Sequence, residues 1–184
     1  TRANEIIAQS AQLFRKKGFH ATSIRDIGRA VGITSAALYY HFNNKEEILV
    51  AIIRQSAELL HREVASAMAI ATNPWQQVQA ALRAHLRACI KHQNFALVLI
   101  FEARHLPPTS RPKINEQRDA YKKLWMDLLQ HAQREGYIAP NINLNLLRLL
   151  TFGALNQVIT WYHPTGSYQL DQIADSLLTF ISQG

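Results

Sequence analysis

Ser23-Ile24-Arg25-Asp26-Ile27-Gly28-Arg29-Ala30-Val31-Gly32-Ile33-Thr34-Ser35-Ala36-Ala37-Leu38-Tyr39-Tyr40-His41-Phe42-Asn43-Asn44-Lys45 is the stretch that decides the fold. Thr22 and Ser23 are N-cap candidates, and Asp26, three residues after Ser23, completes a capping box. Ile24, Ile27 and Val31 follow at spacings of three and four, so a short amphipathic helix begins here. Gly32 stands where a left-handed residue would end it. Thr34 or Ser35 then caps a second helix running through Leu38 to Phe42. Two short helices joined by a tight turn are a helix-turn-helix, with the second helix placed to enter a major groove.

Working outward, residues 3–17 read as an amphipathic support helix, with Ile7, Ala11 and Phe14 on one stripe and Lys16-Lys17-Gly18 at its end. Beyond the motif, residues 45–71 contain no Pro or Gly and carry Ile48, Ile52 and Leu59 at helical spacing, which predicts one long connecting helix. The charge divides unevenly. Residues 1–45 hold seven Lys or Arg against Glu5 and Asp26, so +5 of the formal +7 lies in the first quarter of the 184-residue chain. A basic head before a nearly balanced remainder is the electrostatic footprint of nucleic-acid binding.

The remainder reads as five helices, at about 74–92, 94–105, 112–135, 143–162 and 170–182. Asn73-Pro74 opens the first, and Gln93-Asn94, Leu106-Pro107-Pro108-Thr109-Ser110, Gly136 with Pro140, and His163-Pro164-Thr165-Gly166 separate the others. No two-residue alternation is sustained, so the fold class is all-α: a three-helix head at 1–45 and a ligand-binding and dimerisation body at 46–184, about nine helices in all. With 48% apolar residues a normal core is expected. The single cysteine, Cys89, excludes an intrachain disulfide. No apolar run suits a membrane span and the N-terminus lacks signal-peptide order, so a cytoplasmic location is expected; the chain opens at Thr1, which leaves open a short leader ahead of it.

Residues 18–46, and above all Leu38-Tyr39-Tyr40-His41-Phe42 followed by Lys45-Glu46, closely resemble the DNA-binding head of the TetR family of bacterial repressors. The chain departs at Ala36, where many members carry Gly. The resemblance implies a homodimer that binds a pseudo-palindromic operator on double-stranded DNA, dimerises through its two C-terminal helices and takes a small effector in its body. Position by position, Thr34, Tyr39, His41 and Lys45 match residues that contact the DNA backbone or brace the reading helix. Arg25, Ser35, Ala36, Ala37 and Tyr40 match residues that face base edges. Chemistry suits two of these: Lys45 offers a point charge to phosphate, and Arg25 can fork onto guanine. Tyr39 and His41 read equally well as packed residues with a satisfied polar tip.

The run Phe152 to Gly166, with Ile173-Ala174-Asp175 and Arg118-Asp119-Ala120-Tyr121, resembles the subgroup that senses acyl-coenzyme A thioesters. Such a ligand needs an apolar slot and cations for its phosphates. Phe95, Leu99, Leu124, Leu128 and Phe152 are the expected slot, Arg104, Arg111, Lys113 and Arg118 the cations, and Tyr121, Asn156 and Trp161 complete the expected effector site. The alternative within the family is a regulator of efflux or stress genes that senses a hydrophobic, drug-like ligand. For the dimer, Leu147, Leu150, Ala154, Val158 and Trp161 give one apolar stripe and Ile173, Leu177 and Phe180 another.

One enzyme reading competes. Glu58-Leu-Leu-His61 and Glu102-Ala-Arg-His105 are both Glu-x-x-His on predicted helices, half of a di-iron bundle site, but the two further inward carboxylates are not evident. His85 and His92, seven residues apart, lack a third ligand. No phosphate loop or nucleophile elbow is present, so a non-enzyme without cofactor is expected.

Overall fold

The structure, a computed structural model, describes residues 1–183 as nine α-helices and one short 3-10 turn, with no strand among the described residues. They are α1 (Arg2–Lys17), α2 (Ile24–Val31), α3 (Ser35–Tyr39), α4 (Lys45–Met68), α5 (Pro74–Lys91), α6 (Gln93–Phe101), α7 (Arg111–Arg134), α8 (Leu144–Trp161) and α9 (Leu170–Gln183). Helix starts fall where side-chain oxygens meet orphan amides. Ser23 Oγ accepts from the Asp26 N–H at 3.1 Å while the Ser23 N–H donates to Asp26 Oδ2 at 3.0 Å, the capping box in full. Asn44, Asn73 and Asn143 accept in the same way from Glu47, Gln76 and Asn145. The helix expected over 94–105 ends at Phe101, and Ala103–His105 tighten into the 3-10 turn. Leu106, held extended before Pro107, stops the helix there.

By packing, the chain forms two compact units, Thr1–Glu58 with His92–Gln117, and Leu59–Lys91 with the chain from Arg118 onward. The first gathers Ile6 and Phe14 of α1, Ile27 of α2, Leu38 of α3, Ile48 and Ile52 of α4, Val98 of α6 and Ile114 of α7 in one core. The second gathers Val64 of α4, Leu82 and Leu86 of α5, Trp125 and Leu128 of α7, Leu155 and Val158 of α8, and Leu178 of α9. Helix α4 is unbroken over 24 residues and contributes to both cores. Within the second unit Arg83 and Arg87 on α5 pair with Asp171 and Asp175 on α9, at 3.3 and 2.8 Å to Asp171.

Candidate functional site

In the first unit the reading helix is set by two glycines and a lysine. Gly32 caps α2 at φ 73°, a left-handed geometry that only Gly adopts freely. At Gly28 a Cβ would lie 2.8 Å from the Ile33 carbonyl oxygen, and the Ile33 N–H donates to the Gly28 carbonyl at 2.9 Å. The turn therefore folds back onto α2 at a distance that only a residue without a side chain permits. Thr34 caps α3 by accepting from the Ala37 N–H at 3.1 Å, which leaves its own hydrogen free to donate. α3 is shorter than the expected helix through Phe42: it closes at Tyr39, with the His41 and Phe42 amides both donating to the Leu38 carbonyl.

Leu38 is fully buried and Phe42 packs against the same core, so these two anchor the helix. Arg25, Ala36 and Ala37 are exposed and Ser35 is half-buried. Tyr39 is 51% exposed, and Tyr40, at 88%, is among the most exposed large apolar side chains described. His41 is exposed, its ring edge-on to Tyr40 with centroids 5.4 Å apart. Lys45 makes bracing contacts within the head. Its Nζ donates to the carbonyls of Phe19 and Thr22 at 2.7 Å and of His20 at 3.3 Å, and lies 4.4 Å from the Phe19 ring centroid. An ammonium has three hydrogens, and here they brace the turn between α1 and α2.

That turn carries a feature the sequence did not disclose. His20 Nε2 and His105 Nδ1 are 2.9 Å apart, His105 Nε2 is 3.5 Å from Glu102, and Glu102 accepts from the Phe19 N–H at 3.4 Å. Burial, then the neighbouring His20, hold the His105 imidazole below its ordinary range. Glu58 pairs with Arg54 and accepts from Gln117. Both Glu-x-x-His carboxylates thus have ordinary partners, and no group of three or more metal-ligating side chains is assembled among the described residues.

The expected effector residues separate. Phe95 and Leu99 pack on the core of the first unit, and Arg104 lies exposed there, donating to His105 at 3.2 Å. Tyr121, Leu124 and Phe152 pack on the core of the second unit, Asn156 is half-buried, and Arg118 and Trp161 are exposed. Neither unit by itself gathers the whole expected slot. What the second unit does gather is an aromatic and polar cluster: His85, Tyr121, Trp125 and Phe152, with adjacent ring centroids 5.2–6.4 Å apart. His85 Nδ1 lies 2.8 Å from the Tyr121 hydroxyl. Burial alone pushes the His85 imidazole down to about 4, and burial holds Tyr121 as a neutral phenol, with the nearby Trp125 indole N–H drawing slightly the other way from outside hydrogen-bond geometry. His85 and Trp125 were legible only as members of helical stripes; nothing in their spacing marks them as partners.

A capped helix-turn-helix that turns Arg25, Ala36, Ala37 and Tyr40 to solvent, on a chain whose first quarter carries +5 of the net +7 charge, defines a helix-turn-helix DNA-binding protein. Residues 6–52 match the profile described as bacterial regulatory proteins, tetR family, and residues 71–184 that described as tetracyclin repressor-like, C-terminal domain. The chain belongs to the TetR family of transcriptional regulators. It is 27% identical to the transcriptional repressor KstR2 of Mycobacterium tuberculosis, covering all of this chain and 92% of that one. The solved structure of the ketosteroid transcriptional regulator KstR2 of Mycobacterium tuberculosis superposes with a TM-score of 0.88 at 26% identity, over 100% and 94% of the two chains. The fatty acid metabolism regulator protein of Bacillus subtilis is 22% identical over 98% of this chain and 93% of its own. AibR, solved with isovaleryl coenzyme A and operator DNA, shares the fold at a TM-score of 0.91 and 24% identity, over 99% and 98%. No helix among the described residues is long and apolar enough to cross a membrane.

Proposed function

We propose that the chain is a repressor that binds a pseudo-palindromic operator as a homodimer and leaves it when its body takes up an acyl-coenzyme A thioester. The observation that carries the DNA part is the outward set of Tyr40 with Arg25, Ala36 and Ala37: a nearly bare aromatic ring beside a short, rigidly capped helix is an unfilled contact surface. Arg25 and Tyr40 are assigned to base edges, with Ser35, Ala36 and Ala37 setting how closely α3 approaches them. The Thr34 hydroxyl, Tyr39 and His41 are assigned to the backbone, and Lys45 to bracing the head. Binding measured by fluorescence anisotropy on an operator selected from genomic fragments tests this. The expected result is saturable binding whose affinity falls steeply with salt and is retained in the presence of excess nonspecific duplex.

The acyl-CoA part is supported by the regulator of fatty acid metabolism among the relatives and by a fold that AibR uses around isovaleryl coenzyme A. Tyr121, Leu124, Phe152 and Asn156 of the second unit are the residues assigned to the acyl group, with Arg118 toward the phosphates. Ligand in that unit acts on the DNA head through α4, which is one helix from Lys45 to Met68. Thermal-shift and operator-release assays with CoA thioesters against the corresponding free acids are the test; stabilisation by thioesters alone is expected, and an equal response to the free acids removes the CoA assignment.

A further inference from the structure

In the second unit three side-chain nitrogens are sealed from solvent without a hydrogen-bond partner: His85 Nε2, Trp125 Nε1 and Arg148 Nε. They surround one ring. The His85 and Trp125 ring centroids lie 5.4 and 5.2 Å from that of Phe152, and the Arg148 guanidinium carbon lies 6.0 Å from it. His85 and Trp125 are 2% and 1% exposed, so water does not satisfy them from outside.

Native interiors leave few such groups unpaired, and here the unpaired groups share a type. An indole N–H and a guanidinium Nε–H can only donate. His85 joins them when the Tyr121 hydroxyl donates to Nδ1, which places the imidazole hydrogen on Nε2. Arg148 has no carboxylate beside it among the described ion pairs. What the cluster lacks is an acceptor.

We propose that the effector brings an acceptor oxygen, carbonyl or carboxylate, to His85, Trp125 and Arg148 around Phe152, so that its acyl group is oxygenated and not a plain hydrocarbon. This rests on the acyl-CoA reading and narrows it. A site built from desolvated donors rejects a ligand that leaves them unpaired far more strongly than an apolar wall rejects a missing methylene. A plain acyl chain leaves the three donors unpaired; an oxygenated chain of the same length does not.

The test is isothermal titration of the full chain with three carbon-matched probes: decanoyl-CoA, 9-oxodecanoyl-CoA and the mono-CoA thioester of decanedioic acid. Each is repeated on Trp125→Phe, which keeps a ring but loses the N–H, and on Arg148→Met. At least one oxygenated probe is expected to bind about tenfold or more tighter than decanoyl-CoA, the value of one well-made hydrogen bond to a buried donor. Trp125→Phe is expected to erase the advantage of the ketone, Arg148→Met that of the carboxylate, and whichever advantage exists names the oxygen. Decanoyl-CoA binding as tightly as both others, or an advantage that survives both substitutions, overturns the proposal while leaving an acyl-CoA sensor. Failure of all three to bind overturns the acyl-CoA reading itself and this proposal with it.

Discussion

His85 and Lys45 show how much the surroundings decide about a single side chain. His85 is held neutral by burial, with its pKa near 4 against 6.5 for the free imidazole. Between those values the unfolded chain takes up a proton that the folded chain refuses, so stability falls as pH drops from about 6.5 to about 4 and levels off below. The span corresponds to about 3 kcal/mol. Chemical denaturation across this range, wild type against His85→Phe, is expected to show the slope in the former and its loss in the latter. Cys89 obeys the same physics with opposite sign: burial raises its thiol to about 12, and a thiol reagent is expected to label it only after unfolding. For Lys45 the competing roles separate experimentally. Lys45→Met is expected to lower Tm by about 6 °C, from about 2 kcal/mol of lost charge-assisted bonds, and to weaken operator binding without changing its salt slope. A phosphate contact would instead reduce that slope by about one.

At the scale of an element, the α2-turn-α3 unit depends on Gly28 more than on the exposed residues assigned to DNA. Gly28→Ala adds a methyl 2.8 Å from the Ile33 carbonyl, where the neighbour is backbone and cannot rotate away. Although Ala is the better helix former, the variant is expected to lose about 1–3 kcal/mol, because overpacking against fixed atoms outweighs propensity. Thermal melts and operator binding measured together check it, with affinity falling more than stability because the turn sets the pose of α3. The caps and breakers that start and stop these helices are written locally, in Ser23 with Asp26, Gly32, Thr34, Asn73 with Pro74, and Asn143, which is why the order of helices was legible. What was not legible depends on neighbours distant in sequence. Lys45 near a helix start is chemically suited to a phosphate, and only the carbonyls of Phe19, His20 and Thr22 redirect it. Likewise α8 is apolar on nearly every side, so its periodicity does not say which leucines face inward. Leu147 and Val158, expected on the outer stripe, are buried in the core of the second unit, while Leu146, Leu149, Leu150 and Trp161 are exposed. The effector residues split between the two units for the same reason: an apolar stripe states that it is buried, not against what.

For the whole molecule, that exposed face of α8 together with Phe180 on α9 is the surface on which operator recognition is expected to depend. Five large apolar side chains are left more than half exposed on the two C-terminal helices, and they suit an isologous contact between two copies. Two heads joined in one dimer are expected to engage both half-sites of a palindrome, the second binding at the high effective concentration set by the first. Leu150 is the position to change, since its side chain is 62% exposed and a charge there costs the single chain little. Leu150→Glu is expected to shift the sedimenting mass from twice 20.9 kDa to 20.9 kDa with Tm reduced only by the lost association. Operator affinity is expected to fall by about 100-fold or more, while binding of an isolated half-site, which needs one head only, stays as it was. A Leu150→Glu protein that remains a dimer places the interface elsewhere. One that becomes a monomer yet keeps full operator affinity shows that each head acts alone, and the palindrome then has no structural counterpart in the protein.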